Sequence, residues 1–554
     1  MLTTTELESP SIATAAFGVG VALHVFVFRI GEWDLAATKV LSAFATSALS
    51  LVFLVKAVLL ESPGNTLWTA LKVVASPSLC LVAGIYTSMM IYRVFFHRLR
   101  HFPGPFSARL SNIFSTLLSA KDLHLYEEVE KLHNTYGDFV RLGPTELSIN
   151  HPKAIAAISS SQSPCTKGPF YSLLEPRNSM HMTRDPVEHA RRRKVWDRGF
   201  SAKALRDYEP RVAHYTDQLL AHLEETKGKP INMSDWFSFY SFDVMGDLAF
   251  GKSFDMLQTG VKHYFMNSLH ADMTNVGVLG HLPWIFPIFK VTPGLNYEHK
   301  RFWEWVDKQV EERKKTTPDR PDVFEWLLNH HTAQGSPSLE AELKLTGDAY
   351  LIVVAGSDTT SASLITLFFE LASDRRVLEA LQDEVDQYFE TVETLDSISL
   401  SKLPYLEAVI NETMRLHPAV PSGVQRMTPP EGLLIDKTWI PGDTIVQVPY
   451  HTLFRDERLF VRPHDFIPER WTTRQELVKD SSAFVPFSTG RYSCIGKQLG
   501  LMEVRYVVSQ IVRKYDVEFA PSQTAEGFLS GKRDAFTLSL GPLELVFNPR
   551  KESL

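Results

Sequence analysis

Cysteine is scarce in this chain, with three among 554 residues, at positions 80, 165 and 494. That leaves no disulfide framework to be read from spacing and favours a reducing compartment. Excess positive charge is lacking too, and the formal net charge of −7 offers no electrostatic footprint for nucleic acid. The chain shows no internal repeat, long low-complexity tract, dinucleotide fingerprint or flavin module, which sets aside repeat architectures and a self-contained nicotinamide enzyme. What it has in quantity is apolar. With 44% hydrophobic and 22% charged residues it can bury a large core, and length alone suggests about three or four domains.

The apolar residues are concentrated at the start. Three stretches, about Ser11 to Phe28, Val40 to Leu60 and Leu71 to Phe96, each approach the ~20 residues that cross a bilayer as a helix. Arg29 to Lys39 separates the first two, Glu61 to Thr66 precedes the third, and Lys56 and Lys72 sit near segment ends where they can snorkel. The opening residues carry Glu6 and Glu8 and no base, unlike the positive start of a cleaved signal peptide. Arg93, His97, Arg98, Arg100 and His101 follow the third segment, a basic cluster expected on the cytosolic side. Three crossings then place the N-terminus in the lumen and everything after residue 100 in the cytosol. The other arrangement is a single anchor made by the third segment, with the first two only associated with the membrane. Pro103-Gly104-Pro105 forms a stiff elbow, dividing a membrane region (1–99) from one mostly helical domain (100–554). Short strand-like runs occur at Phe139 to Ile149 and Thr444 to Val448.

Cys494 lies in the run Val485-Pro486-Phe487-Ser488-Thr489-Gly490-Arg491-Tyr492-Ser493-Cys494-Ile495-Gly496. A lone thiolate cannot close a tetrahedral zinc site, but it can be the single axial ligand of a haem. Here the thiol follows a glycine-containing turn and precedes an apolar pattern that starts at Leu499, so its sulfur can face one large planar metal centre. Phe487 would lie against the macrocycle, and Gly490 and Gly496 would let backbone amides approach the sulfur. Taken alone, Cys494 also reads as a buried structural cysteine, a common fate of free thiols; its neighbours reverse that.

Asp348 to Leu371 is a helical pattern apolar on nearly all faces, interrupted by Ala355-Gly356-Ser357-Asp358-Thr359-Thr360-Ser361. Gly356 costs about 1 kcal/mol in a helix relative to alanine, and a buried unpaired carboxylate costs more. Ala355 and Gly356 are small enough to let haem and dioxygen approach the backbone. Thr359 is expected to open the local ladder and hold a water, and Asp358 and Thr359 to deliver protons to reduced dioxygen. A capped or kinked core helix, with the threonine bonded back one turn, is the alternative.

A third run, Glu412-Thr413-Met414-Arg415, sits on a helix expected from near Pro404 to before Pro418. Glu412 and Arg415 share a face amid Val409, Ile410, Met414 and Leu416, a setting in which an arginine needs bidentate partners. Arg470, in Phe466-Ile467-Pro468-Glu469-Arg470-Trp471, is the candidate third member of this ion network, to which structure rather than chemistry is assigned. Cations for haem carboxylates are available at Arg426 and in His189-Ala190-Arg191-Arg192-Arg193-Lys194. Arg191, Arg192 and Lys194 read better as a solvated helix face, and His417 as a turn or surface residue.

Together these runs resemble the cytochrome P450 family over roughly residues 100 to 545. The family's ligand loop, Phe-x-x-Gly-x-Arg-x-Cys-x-Gly, is matched at Phe487, Gly490, Cys494 and Gly496, with Tyr492 in the Arg position and Arg491 one residue early. Its oxygen-activation motif matches Ala355 to Thr360. Its Glu-x-x-Arg and Pro-Glu-Arg-Phe motifs match Glu412, Arg415 and Pro468 to Trp471, with tryptophan as the aromatic. Its Trp-x-x-x-Arg pattern, counted back from Gly199-Phe200-Ser201, places His189 at the Trp position and Arg193 at the Arg position.

The resemblance implies a mainly α fold with small β-sheets, preceded by transmembrane helices. It implies haem b (iron protoporphyrin IX) with Cys494 as the metal ligand, and Ala355, Gly356, His189, Arg193, Arg426, Phe487, Gly490 and Arg491 around the cofactor. Asp358 and Thr359 would be catalytic, and Glu412, Arg415 and Arg470 structural. The implied partners are O2, membrane lipid, a hydrophobic small molecule and an NADPH-cytochrome P450 reductase that meets the basic proximal surface; nucleic acid is not among them. The implied location is the endoplasmic reticulum membrane, multi-pass, with a cytosolic catalytic domain.

The activity expected is monooxygenation of a terpenoid, polyketide or indole alkaloid in secondary metabolism. Candidate pocket walls are Val420 to Val424, the surroundings of Gly356, the Cys165 to His181 loop and Ala535 to Thr537, with Phe536 as the one large ring. A haem-thiolate isomerase or dehydratase independent of O2 is the alternative on the same fold, and the Asp358-Thr359 pair argues against it. A non-enzymatic multi-pass membrane protein would have too few segments to build a pathway.

Overall fold

The computed structural model describes residues 9–59, 67–318, 320–333, 338–392 and 395–550. Glu6, Glu8, Leu60 and the stretch Glu61 to Thr66 lie outside the described residues. Two compact units divide the chain, one of residues 1–114, 141–145 and 281–297 and one of residues 115–140, 146–280 and 298–554.

In the first unit, helices α1 (Pro10–Leu23), α2 (Ala37–Leu59) and α3 (Leu67–Ile91) follow one another. Short π-helical turns, His24–Phe28 and Tyr92–Phe96, extend the first and third. The resulting helical stretches of 19, 24 and 30 residues have mean hydropathies of 2.0, 1.9 and 1.6, long and apolar enough to cross a membrane. Helices α1 and α3 pack through glycine. A Cβ at Gly20 would lie 2.1 Å from the Leu81 carbonyl oxygen, and one at Gly84 would lie 2.2 Å from that of Phe17. The backbones touch because both side chains are missing, the packing that holds helices together where lipid removes the hydrophobic drive. Phe26, Phe53, Leu79 and Phe95 point outward. The elbow is pinned within the same unit, where the Arg141 amide donates to the Pro103 carbonyl at 2.8 Å. A short helix, Ile285–Val291, packs on α2.

The second unit is helical with small sheets. Its main helices are α4 (Pro186–Gly199), α5 (Met233–Phe250), α6 (Tyr264–Leu279), α7 (Leu339–Ser373), α8 (Pro404–Leu416) and α9 (Lys497–Lys514). Strand β1 (Glu146–Ile149) pairs in parallel with β3 (Ile445–Gln447), Leu147 opposite Val446, and β3 pairs antiparallel with β2 (Arg426–Met427). The expected strand run from Phe139 is thus two strands, Phe139–Gly143 and β1. A single buried core runs from Met180 to Phe547, so three or four domains of average length do not arise.

Helix α7 is the centre of that core. It begins at Leu339, two turns before the expected Asp348, because Ser338 caps it by accepting from the Ala341 amide. Its first turns, Leu339 to Lys344, carry Glu340, Glu342 and Lys344 and stay partly exposed, so the all-round apolar signal begins only later. Long and apolar enough to span a bilayer, α7 is instead enclosed by protein. Helix α8 starts with Pro404 at its first position and stops at Leu416, just before Pro418.

Candidate active site

The turn ahead of Cys494 is built by backbone geometry that few residues tolerate. Ser488 and Gly490 adopt φ of 55° and 69°. A Cβ at Gly490 would lie 2.3 Å from the Ser159 carbonyl oxygen and 2.5 Å from the Ser160 carbonyl carbon, so glycine alone lets the loop close on that segment. Gly490 therefore shapes the loop. The Cys494 amide donates to the Phe487 carbonyl at 2.8 Å, and the Gly496 and Lys497 amides at the start of α9 reach the thiol. These amides and Arg193 oppose the effect of burial, which pushes the Cys494 thiol up. Cys494 is nevertheless exposed. A side chain both exposed and desolvated faces an interior cleft rather than open solvent.

Helix α7 presents the same signature. Ala355 is exposed and Gly356 and Thr359 are half-buried within a helix otherwise enclosed. Helices α7 and α9 meet where a Cβ at Gly500 would lie 3.5 Å from Thr360 Oγ1; Ala355 precedes that contact on α7, and Cys494 lies in the loop just ahead of α9. A Cβ at Gly356 would lie 2.6 Å from the Met245 thioether of α5, so that flexible side chain would have to shift to admit one. The ladder is not opened at Thr359. Helix α7 is continuous through residues 355–361, and the Thr359 hydroxyl donates to the Ala355 carbonyl at 2.7 Å, the back-bonding open to a threonine inside a helix.

The buried carboxylate of Asp358 has a partner that no motif announced. His270 of α6 places Nε2 3.3 Å from Asp358 Oδ1. Its ring is 44% exposed while the Asp358 side chain is 9% exposed, so the pair links an accessible imidazole to a buried carboxylate of α7. Phe242 holds the imidazole edge-on at 5.9 Å. Nearby, burial pushes the Asp272 carboxyl up to about 6, and burial with the Asp272 and Asp358 charges pushes the Tyr350 phenol up.

A cluster of cations surrounds Tyr492. Arg426 is buried, donates from NH1 to Tyr171 Oη at 2.9 Å, and lies 4.9 Å from the Tyr492 ring centre. Its Nε is buried without a hydrogen-bond partner. His189 meets the same ring edge-on at 4.8 Å, its imidazole driven down to about 3 by burial and by Lys167, Arg193, Arg192 and Arg426. Arg193 braces the loop through the Ser493 carbonyl at 2.7 Å and pairs with Asp197 at 2.8 Å. Arg491, expected beside the cofactor, is exposed and donates to the Ser163 carbonyl at 3.0 Å.

Of the residues read as a solvated face, Arg191 and Lys194 are exposed. Arg192 is not: it is buried and pairs with Asp348 at 2.7 Å, because Asp348 projects from α7 toward α4 and also accepts from the Met180 amide. Lys167 was missed by sequence reasoning. It is 3% exposed and donates to the His181 and Met180 carbonyls. The only hint was a lysine directly before Gly168-Pro169 in the loop already assigned to the pocket. Among the described residues, neither Arg426 nor Lys167 has a carboxylate within ion-pair distance. Buried cations need anions, and haem carries two carboxylates, so thiol, cleft and unpaired cations together fit that group.

Behind the ligand loop the structure brings Glu412, Arg415 and Arg470 together. Arg415 binds Glu412 through Nε and NH2 at 3.0 and 2.8 Å and donates to the Phe454 carbonyl, while Arg470 Nε reaches Glu412 Oε1 at 2.8 Å. Trp471 adds an indole N–H to Glu412 Oε2 at 2.9 Å. All three ionic side chains have no accessible surface.

Phe536 is not the sole large ring of the pocket region. With φ of 75°, it stacks on Phe170 at 5.2 Å, and Phe170 meets Tyr171 edge-on at 5.5 Å. His417 is not a surface residue either: it is buried between Glu370 (2.7 Å) and Lys532 (3.1 Å).

The cytochrome P450 family model matches residues 103–547. A cytochrome P450 monooxygenase of Fusarium pseudograminearum, FCK2, is 53% identical over 541 residues, covering 98% of both chains. The monooxygenase phqL of Penicillium fellutanum is 41% identical over 98% of this chain and 96% of its own. The tryprostatin B 6-hydroxylase of Aspergillus fumigatus is 34% identical over 99% of both.

Proposed function

Because the chain belongs to the cytochrome P450 family, we propose that this monooxygenase inserts one oxygen atom of O2 into a hydrophobic, ring-bearing product of secondary metabolism. Haem b would be the cofactor, held through its iron by the Cys494 sulfur, and an NADPH-dependent reductase would be the source of electrons. The observation that carries the site assignment is Cys494, whose thiol faces an interior cleft with the Gly496 and Lys497 amides on its sulfur. The class of substrate is supported by the Phe170–Phe536 stack and by the tryprostatin hydroxylases among the relatives. Residues 1–99 serve as the membrane region of the endoplasmic reticulum form and residues 100–554 as the cytosolic catalytic domain.

When bound, the haem supplies the activation of O2, and a thiolate ligand favours O–O cleavage. The chain does the rest. The amides of Gly496 and Lys497 hold negative charge on the sulfur, and Arg193 fixes the Ser493 carbonyl so that the loop keeps its shape. His270 Nε2 lies against Asp358 Oδ1, so the imidazole would pass protons to that carboxylate, and Thr359, the next residue on α7, is the hydroxyl that would take them on. To relay one, Thr359 Oγ1 releases the Ala355 carbonyl.

The reduced, carbon-monoxide-bound absorption spectrum of the purified chain tests the reading beside a Cys494→Ala variant. A red-shifted Soret band lost in the variant is the expected result. A parent without haem, or a variant that keeps the same band, overturns it.

A further inference from the structure

The family's ligand loop carries an arginine where this chain has Tyr492, and Arg491, one residue away, is turned to the Ser163 carbonyl. The charge the family carries at this position is therefore missing, although Arg491 keeps its guanidinium 6.0 Å from the Tyr492 ring centre. The structure has another one close by. Thr166 and Met427 exchange backbone hydrogen bonds of 3.0 and 2.8 Å, which sets the next residue in one segment, Lys167, beside the preceding residue in the other, Arg426. The Lys167 ammonium then lies 4.8 Å from the centre of the Tyr492 ring and 5.2 Å from that of Tyr171. Arg426 lies 4.9 Å from the same Tyr492 ring.

We propose that Lys167, buried against the face of Tyr492, supplies the cofactor-carboxylate contact that the missing arginine would have made. Lys167 and Tyr492 then form one site: the lysine gives the charge and the ring gives it a place to rest.

Three observations carry this. Two of the three N–H donors of Lys167 are directed to the Met180 and His181 carbonyls, which leaves one for a ligand. No carboxylate among the described residues pairs with Lys167 or Arg426, and contact with an aromatic face is too weak to offset the burial of two like charges. An anion belongs there. Finally, an arginine at position 492 would add a further cation to a pair already in mutual repulsion, which explains why a neutral ring occupies that position. Burial pushes the Lys167 ammonium well below its ordinary range, and Arg426, Arg192 and Arg193 push it further; a bound carboxylate reverses that by favouring the charged form.

The inference rests on the haem reading, and the two fail differently: without haem in the parent chain that reading falls, whereas this inference falls only if the parent holds haem and Lys167 proves indifferent to it. The test is the rate at which haem leaves the full-length ferric protein for an apomyoglobin trap, together with the ferric/ferrous potential. Lys167→Met is expected to lose haem about tenfold faster or more and to have a more negative potential, while Lys167→Arg stays within about threefold of the parent. Tyr492→Arg alone is expected to lose haem faster, and the pair Lys167→Gln with Tyr492→Arg to regain most of the parental retention. Parental rates and potential in Lys167→Met, or a double variant no better than its worse single parent, overturn the proposal. Should Lys167→Met not fold, the double variant decides: folded haem protein supports the proposal, and its absence overturns it.

Discussion

His270 and Asp358 show how much of a site a motif leaves out. The motif placed an acid and an alcohol in mid-helix, and a buried carboxylate there needs a partner. The partner is a histidine from another helix, 88 positions earlier in sequence, at 3.3 Å. On the proposed route His270 acts through Asp358, so its removal should slow proton entry without changing how the cofactor is held. With reductase and a hydrophobic substrate returned by a screen, His270→Phe is expected to lower kcat about tenfold and raise the solvent isotope effect, with KM and the carbon-monoxide spectrum unchanged. His270→Gln, which can still hydrogen-bond, should lose less. An unchanged kcat and isotope effect in the phenylalanine variant would remove His270 from the route.

At the scale of elements, the helices that carry motifs were legible because their signals are local. Pro404 and Pro418 bound α8 in sequence as they do in space, and the apolar pattern of α7 is its burial. What holds elements to one another was not legible. His133 is an example: it joins the helix Leu125–Tyr136 to β1, with Nδ1 2.8 Å from the Gly137 carbonyl and Nε2 2.8 Å from Ser148 Oγ. Burial drives this imidazole down to about 4, against the opposing pull of the Gly137 carbonyl and Asp138, while Arg458 adds to the lowering. A histidine with a depressed folded-state value stabilises fully above its unfolded value near 6.5, and that stability is lost as pH falls toward 4. The melting temperature should therefore drop between pH 6.5 and 4, by an amount equivalent to roughly 3 kcal/mol at most for this one group. His133→Gln should flatten that part of the profile. An identical slope in the variant would show that other groups carry it.

At the scale of the whole molecule, the division into units follows contacts and not chain order. Residues 141–145 and 281–297 group with the N-terminal helices although they lie far along the sequence, which no composition shift revealed. The membrane arrangement is open to a direct test. With three crossings, the turn between α1 and α2 lies on the cytosolic side; with a single anchor made by α3, it lies on the luminal side. Glu32 is exposed in that turn. In sealed microsomes, Glu32→Cys is expected to react with an impermeant maleimide added outside, above the level of the parent chain with its own three cysteines. Reaction only after the membrane is opened would leave α3 as the single anchor.

The sequence by itself determined the class of this protein. The candidate ligand, the candidate oxygen-side motif and the scaffold ions are carried by short runs in which each residue type is demanded by its neighbours, and three apolar stretches are written as continuous strings. Only the tertiary structure decided who completes those runs: His270 for Asp358, Lys167 and Arg426 around Tyr492, Asp348 for Arg192, Phe170 for Phe536. Each of these pairings joins residues far apart in the chain. A buried charge or ring states in sequence that it needs a partner, but which residue answers depends on how the elements pack, and packing is a property of the folded whole.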